Sequence, residues 1–298
     1  MWRHTALDEI RRLDPERDHE RIAFLDACIE FPWDTTRSLE LALFRTFAVA
    51  RSSALLASTG EFTERTQKRY DDTVLILSEL LEYGYDSERG RAAMRQMNRI
   101  HRRYPISNDE YLYVLSAFIF EPIRWNERFG WRPLLPQERL AAYYYWREVG
   151  RRMNIKDIPE SYEAFERFNR AFEREHFAYA EPNRHLAEAT RELFLSWFLP
   201  RPLHRFAESL VAALMDDALL DAVGFERPPL WLRRFAEGAL RLRARALRLL
   251  PPRRRPRLRT TKPTPTYPKG YRIEELGPRF AQGHRAAAQG QVEAPSQR

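Results

Sequence analysis

The sequence predicts an all-α protein: a single large helical domain of about ten helices, followed by an extended Pro/Arg-rich C-terminal arm. Three observations carry this reading. Strand-like alternation is nearly absent. Apolar residues recur instead at three- and four-residue spacing, in segments of helical length. Short Pro, Gly, Asn or Asp punctuation separates those segments. With 44% hydrophobic and 13% aromatic residues among 298, the chain can bury a sizeable core.

In chain order, the spacing predicts helices near 18–29, 35–58, 62–83, 87–103, 108–121, 137–152, 160–178, 182–198, 203–222 and 229–249. Gly60, Gly84, Gly90 and Gly130 punctuate them. Pro105, Pro136, Pro159, Pro182 and Pro202 stand before or just inside a following helix, where a missing N–H costs nothing. The segment from Asn108 to Phe120 is apolar nearly all round, as in a helix buried on most sides. Seven prolines between 251 and 278 exclude a regular helix there. The expected organisation is a helical domain over 1–250, an extended basic arm over 251–278 and a disordered Ala/Gln/Gly-rich tail over 279–298.

The net charge of +8 is unevenly placed. Between Arg233 and Arg259 there are eleven Arg and one acid, Glu237, so this stretch carries +10 and the rest of the chain −2. A basic nucleic-acid domain spreads its charge over a face, so no nucleic-acid partner is expected. Leucines and Phe235 among these arginines suit an anionic membrane surface better. The single cysteine, Cys28, excludes an internal disulfide and a cysteine-based metal cluster, and accords with a reducing compartment. The N-terminus has no apolar signal-peptide core, and no run of about 18 apolar residues exists to span a bilayer. The expected location is cytoplasmic, peripheral at a membrane surface.

The stretch 94–104 is the most informative chemically. At about 100° per residue, Met94, Met97, His101 and Tyr104 share one face, which puts His101 on an apolar stripe. A buried neutral imidazole needs a hydrogen-bond partner or a metal, so two readings stand open: a core histidine satisfied by another side chain, or a ligand. Arg99 and Arg102 flank it and could hold carboxylates, or simply be solvated. One segment earlier, Arg69, Asp72 and Thr73 place polar groups at the edge of an apolar face with Ile76 and Leu80.

In order along the chain stand Lys68-Arg69-Tyr70-Asp71-Asp72-Thr73, Asn98-Arg99-Ile100-His101, Ile106-Ser107-Asn108-Asp109, Leu112-Tyr113-Val114-Leu115, Trp131-Arg132-Pro133-Leu134, Glu138-Arg139, Gly150-Arg151-Arg152-Met153-Asn154-Ile155, Asp157-Ile158-Pro159, Glu173, Asn183, Tyr267-Pro268-Lys269-Gly270-Tyr271 and Leu276-Gly277. This ordered set, from about residue 30 to 278, resembles the MpaB-type oxygenase and latex-clearing-protein superfamily. The resemblance implies an all-helical fold. It also implies haem b held by a proximal histidine, with molecular oxygen used on a hydrophobic, unsaturated lipid or terpenoid-like substrate. Leu115 stands where many bacterial members of that superfamily carry a histidine. His101, one helix earlier, becomes the leading candidate for haem and metal ligand, with His176 and His204 as alternatives and His185 expected at the surface. On the same basis Arg99 or Arg69 would orient the haem carboxylates or stabilise bound oxygen, and Thr73 would be a polar wall residue. The alternative is a non-catalytic helical haem- or lipid-binding protein of the same fold.

Overall fold

The computed structural model describes residues 5–278 and Phe280; the expected tail over 279–298 otherwise lies outside them. Among the described residues there are fourteen α-helices and no strand. They are α1 (Thr5–Ile10), α2 (His19–Leu25), α3 (Pro32–Phe47), α4 (Ala50–Ser58), α5 (Glu61–Glu64), α6 (Thr66–Tyr83), α7 (Glu88–His101), α8 (Asn108–Phe129), α9 (Pro136–Arg152), α10 (Tyr162–His176), α11 (Glu181–Ser196), α12 (His204–Ala212), α13 (Asp217–Val223) and α14 (Leu230–Leu249). A π-helical turn, Asp26–Glu30, extends α2.

The centre is α8, which packs against α3, α9, α10 and α14. A capping box starts it: the Ser107 hydroxyl accepts from the Glu110 N–H while the Glu110 carboxylate accepts from the Ser107 N–H. The spacing predicts its end at 121, before Pro122, but the helix runs on through that proline to Phe129. Burial of Ile123, Trp125 and Phe129 outweighs the one lost backbone hydrogen bond. These residues also divide α8 between two cores. Leu112, Leu115, Ile119 and Phe120 pack with α6, α7 and α9, whereas Trp125 and Phe129 pack with α3 and α11.

Three segments read as single helices are pairs; of these, 62–83 parts at Arg65 (φ −133°, ψ 39°) into α5 and α6. The stretch 35–58 breaks at Val49, which is extended (φ −97°, ψ 107°) and bridges Phe177. The buried Ser53 hydroxyl takes the freed Phe47 carbonyl at 2.7 Å. The stretch 203–222 breaks before Asp216, which caps α13 by accepting from the Leu219 N–H. Arg45, which interrupts the apolar run of α3, explains part of this geometry. Its guanidinium sits inside the bundle, donating to Glu121 on α8 (2.6 Å), Glu173 on α10 (3.2 Å) and Asp216 ahead of α13. One buried cation thus ties four elements together.

The segment after α14 has no α-helix and crosses the outside of α6. Four acids of α6 hold it. Glu82 accepts from the Arg259 and Thr260 N–H groups and the Thr260 hydroxyl, and Asp71 accepts from the Thr266 N–H. Asp72 and Glu79 accept from the Tyr267 and Tyr271 hydroxyls. Leu276 at its end is fully buried in the core against α7.

Candidate functional site

Between α6, α7, α8 and α9 the bundle holds a cavity of 1550 Å³ measured out to its open mouth. Its wall is mainly apolar: Ile76, Leu77, Met97, Ile100, Phe118 and Trp146 are among the residues that form it. Leu115 also faces it. Gly150 on α9 makes room for that leucine, since a Cβ there would lie 2.5 Å from a Leu115 methyl. Gly277 and Pro278, from the end of the arm, close one side.

His101 ends α7, the helix begun by Ser87 accepting from the Gly90 N–H. Its ring borders the cavity and meets Tyr111 edge to face at 5.7 Å. Burial, with the nearby Arg69 charge adding to it, pushes the imidazole down to about 4, although the Met97 carbonyl one turn back acts in the opposite direction. The ring is therefore neutral at pH 7. Its buried Nδ1 has no hydrogen-bond partner of ordinary geometry.

Arg69 and Thr73 face the same cavity from α6, one turn apart. The Arg69 guanidinium donates to the Thr73 hydroxyl, which itself donates to the Arg69 carbonyl at 2.8 Å. The guanidinium also lies over the Phe62 ring at 5.0 Å. Among the described residues no carboxylate comes within ion-pair distance of it, and burial pulls its affinity for the proton below the usual arginine value, against the pull of Asp72 and Glu61. The acids that border the cavity are already engaged. Asp72 holds Lys68 (2.7 Å) and Tyr267, Glu61 holds Arg65 (2.7 Å), and Glu110 holds Ser52 (2.7 Å) and Ser107. His101 and Arg69, which line the same cavity, take no part in these carboxylate pairs.

Arg99 is not with them. It is exposed and absent from the cavity wall, because two residues along a helix turn a side chain about 200° away from His101. His176 is exposed and stacked on Phe172 at 4.1 Å. His204 is buried, but its Nε2–H donates to the Leu199 carbonyl (2.9 Å) and its Nδ1 pairs with Glu192, away from the cavity. His185 is at the surface beside Glu181, as expected. The sequence reading missed two contributors. Lys68 lies in a singled-out motif, yet its ammonium joins Asp72, the Tyr267 hydroxyl and the Gly277 carbonyl (2.9 Å), which fixes the arm as a cavity wall. Gly277 and Pro278 could be suspected only from the motif they close.

The profile of the family described as ER-bound oxygenase mpaB/B′/rubber oxygenase, catalytic domain, matches residues 41–249. The chain belongs to this family. Among curated oxygenases of the mpaB/B′ type, it is 30% identical over 247 residues to the ER-bound oxygenase mpaB′ of Penicillium brevicompactum, covering 76% of this chain and 58% of that protein. It is 27% identical over 215 residues to the ER-bound oxygenase mpaB of Penicillium roqueforti (strain FM164), covering 66% and 72%. The family profile ends ahead of the arm, so the wall made by Gly277 and Pro278 lies beyond the matched span. Among the described residues no helix is long and apolar enough to cross a membrane. Nor do three His, Cys, Asp or Glu side chains converge there as a metal site.

A haem asks little of such a protein, because the macrocycle brings its own four nitrogen donors and one imidazole can complete the set. A neutral His101 whose Nδ1 lacks a hydrogen bond of ordinary geometry, an apolar wall and an Arg69 without an ion pair fit that group.

Proposed function

We propose that the protein is a haem-dependent oxygenase acting on a hydrophobic, unsaturated lipid or terpenoid-like substrate in the His101 cavity. The observation that supports this most is the neutral His101 imidazole, its Nδ1 without a hydrogen bond of ordinary geometry, bordering the same apolar space as Arg69, which has no ion pair. His101 would hold the haem iron, and Arg69, steadied by Thr73, would orient carboxylate groups on the bound molecules. Haem, when bound, supplies the activation of molecular oxygen. Ile76, Met97, Phe118 and Trp146 would order an oily chain and exclude water from it.

Purified protein given haemin is expected to develop a Soret band, and His101→Ala to lose it while keeping its far-ultraviolet circular dichroism. A wild-type protein that binds no haemin sinks this reading. Haem binding without oxygen uptake across a panel of unsaturated lipids favours the non-catalytic carrier instead.

The way such a substrate reaches the site is supported by α14. Trp231, Phe235, Leu242 and Leu249 fall within about 40° of one another around that helix. They are 62–87% exposed, on the side opposite the buried Ala236 and Ala244. Arg234, Arg241 and Arg245 line one side of this stripe, and the adjacent α12 adds exposed Phe206. Apolar side chains set beside a row of arginines suit the boundary of an anionic bilayer, so the protein would work as a peripheral membrane enzyme.

A further inference from the structure

A second chamber, 1200 Å³ out to its mouth, lies under the arm on the other side of Arg69. Leu43, Phe62, Arg69, Thr73, Leu77 and Phe118 line both spaces, so the two share a wall. The chamber is rich in cations: Arg37 and Arg69 from the helices, and Arg257, Arg259 and Lys262 from the arm. Its two acids are already engaged, Glu40 with the chamber's own Arg37. Glu40 accepts from Arg37 (2.7 Å) and the Tyr70 hydroxyl (2.6 Å). Glu82 is taken up by the arm's own N–H groups and Thr260.

The arm cations are therefore left without an ion pair, although Arg259 lies near enough to Glu40 to lower its proton affinity; Arg259 is half-buried, while Arg257 and Lys262 are exposed. Among the described residues, Arg257, Arg259 and Lys262 have no carboxylate within ion-pair distance, and Nε of Arg259 is buried with no hydrogen-bond partner. Burial, then the charges of Arg257, Arg259 and Arg253, lowers the proton affinity of the Lys262 ammonium. Like charges gathered in a partly enclosed space repel one another, and a bound anion removes that cost. The rest of the lining is apolar, with Leu39, Val74 and Leu81 beside the shared wall.

We propose that this chamber holds the anionic head, a carboxylate or phosphate, of an amphipathic ligand whose hydrocarbon chain passes Phe62, Leu77 and Phe118 into the His101 cavity. The arm is then a specificity element as well as a wall: Arg259 and Lys262 select the charged end, and Arg69 at the junction faces the boundary between head and chain. The placement of the chain rests on the reading of the His101 cavity as the substrate site; the head-group chamber does not need haem.

The test uses the full chain, haem-free and haemin-loaded, titrated calorimetrically with decanoate, decyl phosphate, uncharged decanol and inorganic phosphate. The wild type is expected to bind at least one of the two anionic amphiphiles about tenfold or more tightly than decanol at low salt. The Arg259→Gln/Lys262→Gln variant should lose that preference while binding decanol as before, and Arg259→Lys/Lys262→Arg should retain it. Arg253→Gln/Arg255→Gln removes exposed arm charge outside the chamber and should leave the preference in place. Equal binding of decanol and both anions by the wild type overturns the proposal. So does an equal loss in the Arg253/Arg255 variant, which would make the effect one of surface charge. Inorganic phosphate binding as tightly as decyl phosphate overturns the amphipathic ligand. Loss of the preference on haemin loading assigns the chamber to the haem's own carboxylates and also overturns it. A protein that binds no haemin but prefers the anionic amphiphiles leaves the chamber standing while removing the oxygenase reading.

Discussion

Arg45 enters the interior from α3 and meets three carboxylates on three other elements. Burial alone would raise the Asp216 carboxyl, but the Arg45 charge, the Leu219 N–H and the hydrogen bond from Arg45 together outweigh it and hold that carboxyl below the ordinary range. Truncating the arginine strands Glu121, Glu173 and Asp216 without their shared cation. Arg45→Ala is therefore expected to cost about 3–5 kcal/mol, read as a lower urea midpoint. Glu40 behaves in the opposite sense: burial pushes its carboxyl up to about 7 despite Arg37 and Tyr70. Between pH 4.5 and 7 the folded chain keeps a proton that the unfolded chain releases, so this residue makes stability fall as pH rises through that window. Glu40→Gln should flatten that slope, and unfolding midpoints measured on the acid and alkaline sides of the window would check it. Residue spacing indicated the helix faces on which several of the site's side chains lie. Arg69 and Thr73, four apart, do face one cavity, and His101 lies on the apolar stripe that its spacing indicates. Arg99 was chosen for its nearness to His101 along the chain, but helix geometry turns it outward to an exposed position.

Among elements, the contact of α8 with α9 shapes the cavity. Gly150 on α9 lets Leu115 lie back against that helix, with Ile158 also close to the missing Cβ at 2.9 Å. Neither neighbour is a flexible polar side chain that could swing into solvent. Gly150→Ala is expected to force Leu115 toward the cavity, lowering affinity for hydrophobic ligands and costing about 1–3 kcal/mol by overpacking. Ligand affinity unchanged in a folded Gly150→Ala protein would show that the helices separate instead. The same scale explains the misplaced boundaries. A break at Val49 follows from its bridge to Phe177, a partner far along the chain, and α8 outlasts Pro122 because both cores claim its last turns.

At the scale of the molecule, α14 and the arm set a basic, partly apolar surface beside the chambers. If the exposed stripe enters a bilayer boundary, two contributions should separate experimentally. Charge reversal at Arg253, Arg254 and Arg255, exposed and beyond the helix, should weaken sedimentation with anionic vesicles at low salt, since each basic residue near such a surface contributes on the order of 1 kcal/mol. Replacing Trp231, Phe235 and Leu242 with Ser should weaken it at high salt as well, because apolar burial is not screened. Equal sedimentation of all three proteins would count against a membrane role for this face.

The all-helical class, most helix positions, the apolar setting of His101 and the placing of Arg69 and Thr73 on one side of a helix were written in local periodicity, which depends only on residues three and four apart. The family resemblance was carried in the same way, by short motifs in order. Tertiary structure alone decided what those motifs do together. Lys68 reaches Gly277 across 209 positions and Gln96 holds the Leu276 carbonyl across 180, so a Pro-rich segment that looks like a loose extension becomes a wall of the cavity. The same holds for the charges: composition located the arginines, but only packing against α6 could show which of them meet a carboxylate and which face an enclosed space, because a side chain's partner is fixed by distance in the fold and not by distance along the chain.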